Sequence, residues 1–338
     1  MIPLLAAVTA ASGVLTGVLL RYARTRGMLD LPTDRSSHVV PTPRGGGAAV
    51  AAAGLAGLAV AWYAGRLPVA LAQALLGGGI LVAAIGWLDD RRGVSAGVRL
   101  MVHAAAAGYA VVLLGGLPGM GGVAGAALAW LGIVWAINLY NFMDGLDGLA
   151  ASEAVTVATG AAALLWSLGH PGLAAAAALV GAAALGFIPW NWPPARIFLG
   201  DVGSGFLGYA FGVLALAAHN SGALSVPFWL AMLGLFVFDA TITLMRRLVA
   251  GDRVTAPHRL HAYQRLVQVG WSHRRVTGTV MAVNLLLVGG AWIARNRDPA
   301  GARLGFAALT LLTLLYLAVE RVAPFRRFRN LEGRHRYK

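Results

Sequence analysis

Apolar stretches long enough to span a bilayer recur from one end of this 338-residue chain to the other. A helix needs about 20 apolar residues to cross the hydrocarbon. Eleven segments qualify as predicted spans: residues 2–21, 46–64, 69–88, 100–116, 121–140, 149–168, 172–190, 203–220, 226–245, 276–294 and 303–321. Composition agrees, since 12% of the residues are charged where a soluble domain carries about 25%. The expected fold is all-α, a polytopic transmembrane helix bundle. Spans seven and eight are expected to rest on each other through Gly181, Gly186, Gly205 and Gly208, because small residues let helices approach closely in lipid.

Charge sets the expected orientation. The first apolar run, Ile2 to Leu20, lacks a basic leader and is followed by Arg21, Arg24 and Arg26. It reads as a retained first span with its N-terminus outside and the C-terminus of the chain cytoplasmic. On that topology only Arg66, Arg295, Arg297 and Arg303 among the Lys and Arg residues fall outside. The net charge of +14 then reports orientation and contact with anionic lipid, and nucleic acid is not an expected partner. Of 13 acidic residues only Asp298 falls outside, and Asp239 is the one well inside a span. With no cysteine, disulfides and thiolate metal sites are excluded, while a hard cation held by oxygen is not. The whole chain, 1–338, reads as one domain whose longest inner connections are 22–45 and 246–275.

Five inner segments carry chemistry. Asp89 and Asp90 end span three within the run Gly86 to Gly93; adjacent carboxylates need a cation or water, so they mark either an ion site or a solvated helix end. Asn138, Asn141, Asp144 and Asp147 recur every third residue at the end of span five. That spacing keeps them near one helix face, in a setting where burying them is costly without a function. Gly200, Asp201 and Ser204 lie in a glycine-rich entry to span eight. There, helix N–H groups could meet a phosphate, Asp201 could hold its metal, or the run could be a capped turn. His38 and Arg44 sit in a loop rich in Pro and Gly, and either contact phosphate or serve only as inner-face charge. The last loop carries His258, Arg259, His261, Tyr263 and Gln264. It offers stacking, hydrogen bonding and charge suited to a nucleotide-sugar, or a basic segment lying on lipid; a zinc pair there lacks a third ligand.

In this order and on this common face, the motifs resemble glycosyl transferase family 4, the polyprenyl-phosphate N-acetylhexosamine-1-phosphate transferases, from about Asp30 to His273. The resemblance implies that Asp89 and Asp90 are the family's aspartate pair and that Asn138 to Asp147 is its Asn/Asp segment. It implies that Asp201 is a magnesium ligand, with Asp144 or Asp147 assisting and manganese as a substitute ion. His258, His261, Tyr263 and Gln264 match its sugar-nucleotide loop, which places donor recognition in 246–275. The implied reaction transfers an N-acetylhexosamine 1-phosphate from a UDP-sugar to undecaprenyl phosphate at the cytoplasmic face of a bacterial inner membrane. Asp89, Asp90, Asp144 and Asp147 are the expected catalytic residues. Asp89 or Asp90 would deprotonate the lipid phosphate, position it or support the metal, or an aspartate would act as nucleophile in two steps.

The muramoyl-pentapeptide branch typically carries consecutive histidines in the last loop. The run His258 to Gln264 instead resembles the branch that initiates O-antigen and other surface glycans, with GlcNAc, FucNAc or QuiNAc donors. Alternatives from other classes are a proton- or cation-coupled transporter, which would place acids near the bilayer midplane, and a noncatalytic scaffold. A homodimer is an expectation from the apolar surface alone.

Overall fold

The computed structural model describes residues 1–32, 40–253, 256, 258–298 and 300–335. Among these the chain forms fourteen helices and one ribbon of two short strands. The helices are α1 Ile2–Thr25, α2 Gly47–Tyr63, α3 Val69–Arg92, α4 Ala96–Leu114, α5 Gly122–Met143, α6 Leu149–Ser167, α7 Pro171–Asn191, α8 Gly200–Asn220, α9 Val226–Met232, α10 Gly234–Val249, α11 Ala262–Gln268, α12 His273–Ala294, α13 Ala302–Val322 and α14 Phe325–His335. Strand β1 Leu29–Asp30 pairs antiparallel with β2 Thr42–Pro43.

Nine helices, α1, α3 to α8, α12 and α13, are long and apolar enough to cross a membrane. The expected second span is the shorter apolar helix α2. The expected span 226–245 is not one helix, because α9 and α10 meet at 84°. Leu233 sits at the corner: its N–H closes α9 on the Trp229 carbonyl, 2.9 Å, and its carbonyl opens α10 at Val237, 3.0 Å. Gly234 lies under α13 there, and a Cβ on it would come within 2.9 Å of Leu312 Cδ1.

Helix α8 is the centre of the bundle, packed chiefly against α3 and α5. Its near-continuous burial along Val202 to Ala218 explains why its sequence is apolar on every side. At Gly47 and Gly203 the backbones of α2 and α8 touch: a Cβ on Gly47 would lie 2.3 Å from Gly203 Cα. The four glycines expected to join spans seven and eight are contact positions, but toward other helices. Gly181 meets Ala158 of α6, Gly186 meets Thr9 of α1, Gly205 meets Val82 of α3, and Gly208 meets the Ala136 carbonyl of α5.

Polar side chains are few inside the bundle, and they join helices. Ser12 donates to the Ala183 carbonyl, 2.6 Å, tying α1 to α7. Tyr209 donates to the Ala74 carbonyl, 2.8 Å, tying α8 to α3. Glu153 of α6 accepts from Asn284 of α12, and both residues are fully buried. Glu153 is therefore a second acid within the spans, beside Asp239.

Candidate active site

Successive spans run in opposite directions, so the C-terminal ends of α3 and α5 meet the N-terminal ends of α4, α6, α8 and α12. At this meeting point lies a polar cavity of about 260 Å3. Arg44, Asp90, Asn141, Asp144, Asp147, Gly200, Asp201, Gln264 and His273 line it, with Asp30, Asn191 and Phe198. Three widely separated acidic segments thus share one wall.

Asp90 faces the first turn of α8. Its carboxylate accepts from the backbone N–H of Asp201, 3.0 Å, and of Val202, 3.3 Å. These are orphan donors of a helix N-terminus, satisfied here by a carboxylate from another helix. Gly200 is held at φ +74°, and a Cβ on it would fall 2.5 Å from Asp90 Oδ2, so glycine is required twice over. Two of the N–H groups that the sequence offered to phosphate, those of Asp201 and Val202, are consequently occupied by Asp90. That places Asp90 as the support of α8.

Asp89 accepts from the Val94 N–H, 2.5 Å, and from Arg99, 2.6 Å. The same guanidinium also bonds Asp201. Arg99 thus joins the first and third acidic segments from the opening turn of α4. Arg44 donates to the carbonyls of Asp90, 3.0 Å, and Asp89, 3.4 Å, closing the C-terminal end of α3. Asn141 donates to Ser204 Oγ, 3.2 Å, and Ser204 donates to the Gly200 carbonyl, 3.0 Å. These two residues brace α5 against α8. Asn138 turns back to the Val134 carbonyl of its own helix, 2.7 Å, outside the cavity wall.

Asp144 lies just past α5. Burial pushes its carboxyl well above the usual carboxylate range, and the charges of Asp201 and Asp90 push the same way. Asp147 accepts from the Ala195 N–H, 3.0 Å, and stands 3.3 Å from His273 Nδ1. A wall with this many carboxylates calls for a cation. Among the described residues no three carboxylate or imidazole side chains already converge to cage one. A magnesium ion needs no such cage, since one or two carboxylates, substrate phosphates and waters suffice. The oxygen donors of Asp144, Asp201 and Asn141 fit that requirement.

The last loop is organised by Asp239. Its carboxylate accepts from the N–H groups of Ala262, 2.8 Å, and Tyr263, 3.3 Å, and from Thr243, 3.0 Å. His261 is buried 3.6 Å from it. Asp239 therefore caps α11 just as Asp90 caps α8. Tyr263 is buried, with its hydroxyl on the Phe142 carbonyl, 2.9 Å. Its ring stacks on His261, so it braces α5 and is not open to a nucleotide. The Gln264 side chain accepts from the His261 N–H, 3.3 Å, and reaches the cavity. His258 accepts from the Leu260 N–H, 3.3 Å, and its ring lies 4.9 Å from that of His261. The Arg259 carbonyl accepts from Gln268, 2.7 Å. His38 lies outside the described residues.

Arg99, Asn191 and His273 were not legible as site residues, and Phe198 carried no role in the motif that contains it. Arg99 had one signal: it is the first basic residue beyond the Asp89 to Arg92 end of α3, where paired acids call for a cation.

The model of glycosyl transferase family 4 matches residues 72–219, the stretch that carries Asp89, Asp90, Asp144, Asp147 and Asp201. The chain is 30% identical over 278 residues to a Bacillus subtilis protein described as a probable undecaprenyl-phosphate N-acetylglucosaminyl 1-phosphate transferase, covering 77% of this chain and 75% of the relative. It is 32% identical to the decaprenyl-phosphate N-acetylglucosaminephosphotransferase of Mycobacterium tuberculosis, covering 89% and 85%. A phospho-N-acetylmuramoyl-pentapeptide-transferase of Clostridium kluyveri is 35% identical over 142 residues, 41% of this chain and 42% of the relative.

Proposed function

This chain belongs to glycosyl transferase family 4, and on that footing we propose that it transfers N-acetylglucosamine 1-phosphate from UDP-GlcNAc to undecaprenyl phosphate. FucNAc- or QuiNAc-type donors are the variants to compare. The observation that carries this reading is the single cavity in which Asp144, Asp147 and Asp201 meet beside Arg44. The extended match to the two N-acetylglucosamine enzymes, against the partial match to the muramoyl-pentapeptide enzyme, favours the surface-glycan branch.

The chemistry is an in-line displacement at phosphorus. An oxygen of the lipid phosphate forms a bond to the donor's β-phosphorus, the bond from that phosphorus to the oxygen of UMP breaks, and UMP leaves. A phosphate monoester has its second pKa near about 6, so the attacking oxygen is already largely anionic at neutral pH and no strong base is needed. When bound, magnesium, or manganese in its place, offsets the charge of the donor diphosphate; Asp201 and Asp144 would hold it. Arg99 fixes the direction of Asp201. Asp90 holds the first turn of α8 in place, which keeps Asp201 facing the cavity. Asn141 and Ser204 keep α5 and α8 at one spacing, which sets the gap between Asp144 and Asp201. The excess of Arg at this end of the bundle supports a cytoplasmic location for the cavity.

A transporter reading has less to stand on. Asp239 commits its oxygens to α11, and Glu153 is enclosed with Asn284. The test is an Asp201→Asn variant, isolated in detergent and shown to keep its unfolding temperature. Loss of UMP release by at least about 100-fold is the expected outcome for a group that stabilises charge in the transition state. Near-normal release would remove Asp201 from the reaction.

A further inference from the structure

The cavity is also lined by His273, which none of the acidic motifs contains and which lies beyond the run His258 to Gln264. His273 opens α12 immediately after Ser272, whose hydroxyl accepts from the Arg275 N–H, 3.2 Å, and so fixes where the helix begins. The imidazole lines the cavity with its side chain 17% exposed, and Nδ1 stands 3.3 Å from Asp147 Oδ2. That oxygen also accepts from the Ala195 N–H, 3.0 Å, so the carboxylate is held from the α7–α8 loop. A carboxylate on one ring nitrogen sets the orientation of an imidazole.

Helix α12 is held in register by its own polar face. Thr277 donates to the Asp147 carbonyl, 3.0 Å, and Asn284 bonds Glu153 of α6. Residues 273, 277 and 284 are four and eleven apart and share one face of a helix. Arg274 adds a bond to the Pro193 carbonyl, 3.2 Å. Lipid-facing helices do not need such contacts to insert, and here three of them fix the helix that carries this side chain. The lining beside the acids and Arg44 includes Gln264 and His273, an amide and an imidazole that can hydrogen-bond a ligand. It suits the uncharged hydrogen-bonding part of a ligand.

We propose that His273 is a donor-contacting residue, positioned by Asp147 and by the polar face of α12 to hydrogen-bond the uncharged part of the UDP-sugar, its nucleoside or its N-acetylhexosamine. This rests on the transferase reading. The experiment measures equilibrium binding of UMP and of UDP-GlcNAc, in magnesium buffer, to the detergent-purified full chain. Wild type, His273→Ala and His273→Gln are compared, with the unfolding temperature of each recorded without ligand. Loss of one buried hydrogen bond weakens binding about 5- to 100-fold, and His273→Ala is expected in that range with its unfolding temperature kept. His273→Gln, which retains a polar reach, should fall between. Equal weakening for UMP and UDP-GlcNAc assigns the contact to the nucleoside; weakening for UDP-GlcNAc alone assigns it to the sugar. Unchanged binding of both ligands by His273→Ala overturns the assignment while leaving the transferase reading intact. So does a fall in unfolding temperature that accompanies every loss of binding. A wild-type protein that binds neither uridine nucleotide overturns the transferase reading and this assignment with it.

Discussion

Two cavity-lining carboxylates, Asp90 and Asp144, differ in what they face. Asp90 accepts two N–H groups of α8. Replacing it with Ala leaves those donors unsatisfied and should cost about 1–3 kcal/mol, read as a lower unfolding temperature; Asp90→Asn keeps an acceptor and should cost less. Asp144 has its folded pKa raised by burial and by Asp201 and Asp90. A raised pKa means that the folded state holds the proton more tightly than the unfolded state. The stability this provides is complete below the ordinary carboxylate value and is lost as pH climbs through the raised one. Asp144→Asn, which cannot ionise, should therefore unfold at a higher temperature than wild type, with a gap that widens from pH 4 to pH 8. A difference of 1 kcal/mol corresponds to about 2–4 °C in a domain of some size. Magnesium should narrow the gap at pH 8 by stabilising only the wild type, and Asp144→Asn should lose UMP release. A gap that does not change with pH would contradict the assignment. The aspartates were legible in the sequence because an acid beside an apolar span stands out. Arg99 and His273 were not, because their partners arrive from other helices and no local spacing encodes that meeting.

Helices were legible wherever an apolar run was long, and their bends were not. Residues 226–245 read as one span, since hydropathy carries no record of a turn at Leu233. The glycines were legible as contact positions, but their partners were not, because a missing side chain does not say which backbone approaches it. Gly47→Ala drives a Cβ to 2.3 Å from Gly203 Cα and should cost at least about 1–3 kcal/mol as overpacking. Gly132→Ala meets nothing within 4 Å and should leave the unfolding temperature unchanged. The Glu153–Asn284 bond joins α6 to α12, and interhelical hydrogen bonds in membrane proteins contribute about 0.6 kcal/mol on average. Glu153→Ala should lower the unfolding temperature slightly more than that bond alone implies, because Asn284 is left buried without its partner. Glu153→Gln, which keeps an acceptor at the same reach, should change it less. Equal effects of Ala and Gln would show that the side-chain volume, and not the bond, is what matters.

In the molecule as a whole, the helices bring distant acids to one cavity, and two of the chain's acids bond helix amides. Asp90 fixes α8, and Asp239 fixes α11 with the loop that carries Gln264 to the cavity. Two first-turn amides of α8 are taken by Asp90, and the cavity's excess of carboxylates calls for a cation. The reaction proposed for this cavity replaces the UMP of the donor with a lipid phosphate. The most direct test mixes the detergent-purified protein with undecaprenyl phosphate, UDP-GlcNAc and magnesium, and measures UMP and lipid-linked diphospho-GlcNAc together, with and without EDTA. The two products are expected in equal amounts, abolished by EDTA and restored by added magnesium. Formation of neither product from any UDP-N-acetylhexosamine, in protein that is folded and binds the lipid, would contradict the proposed reaction.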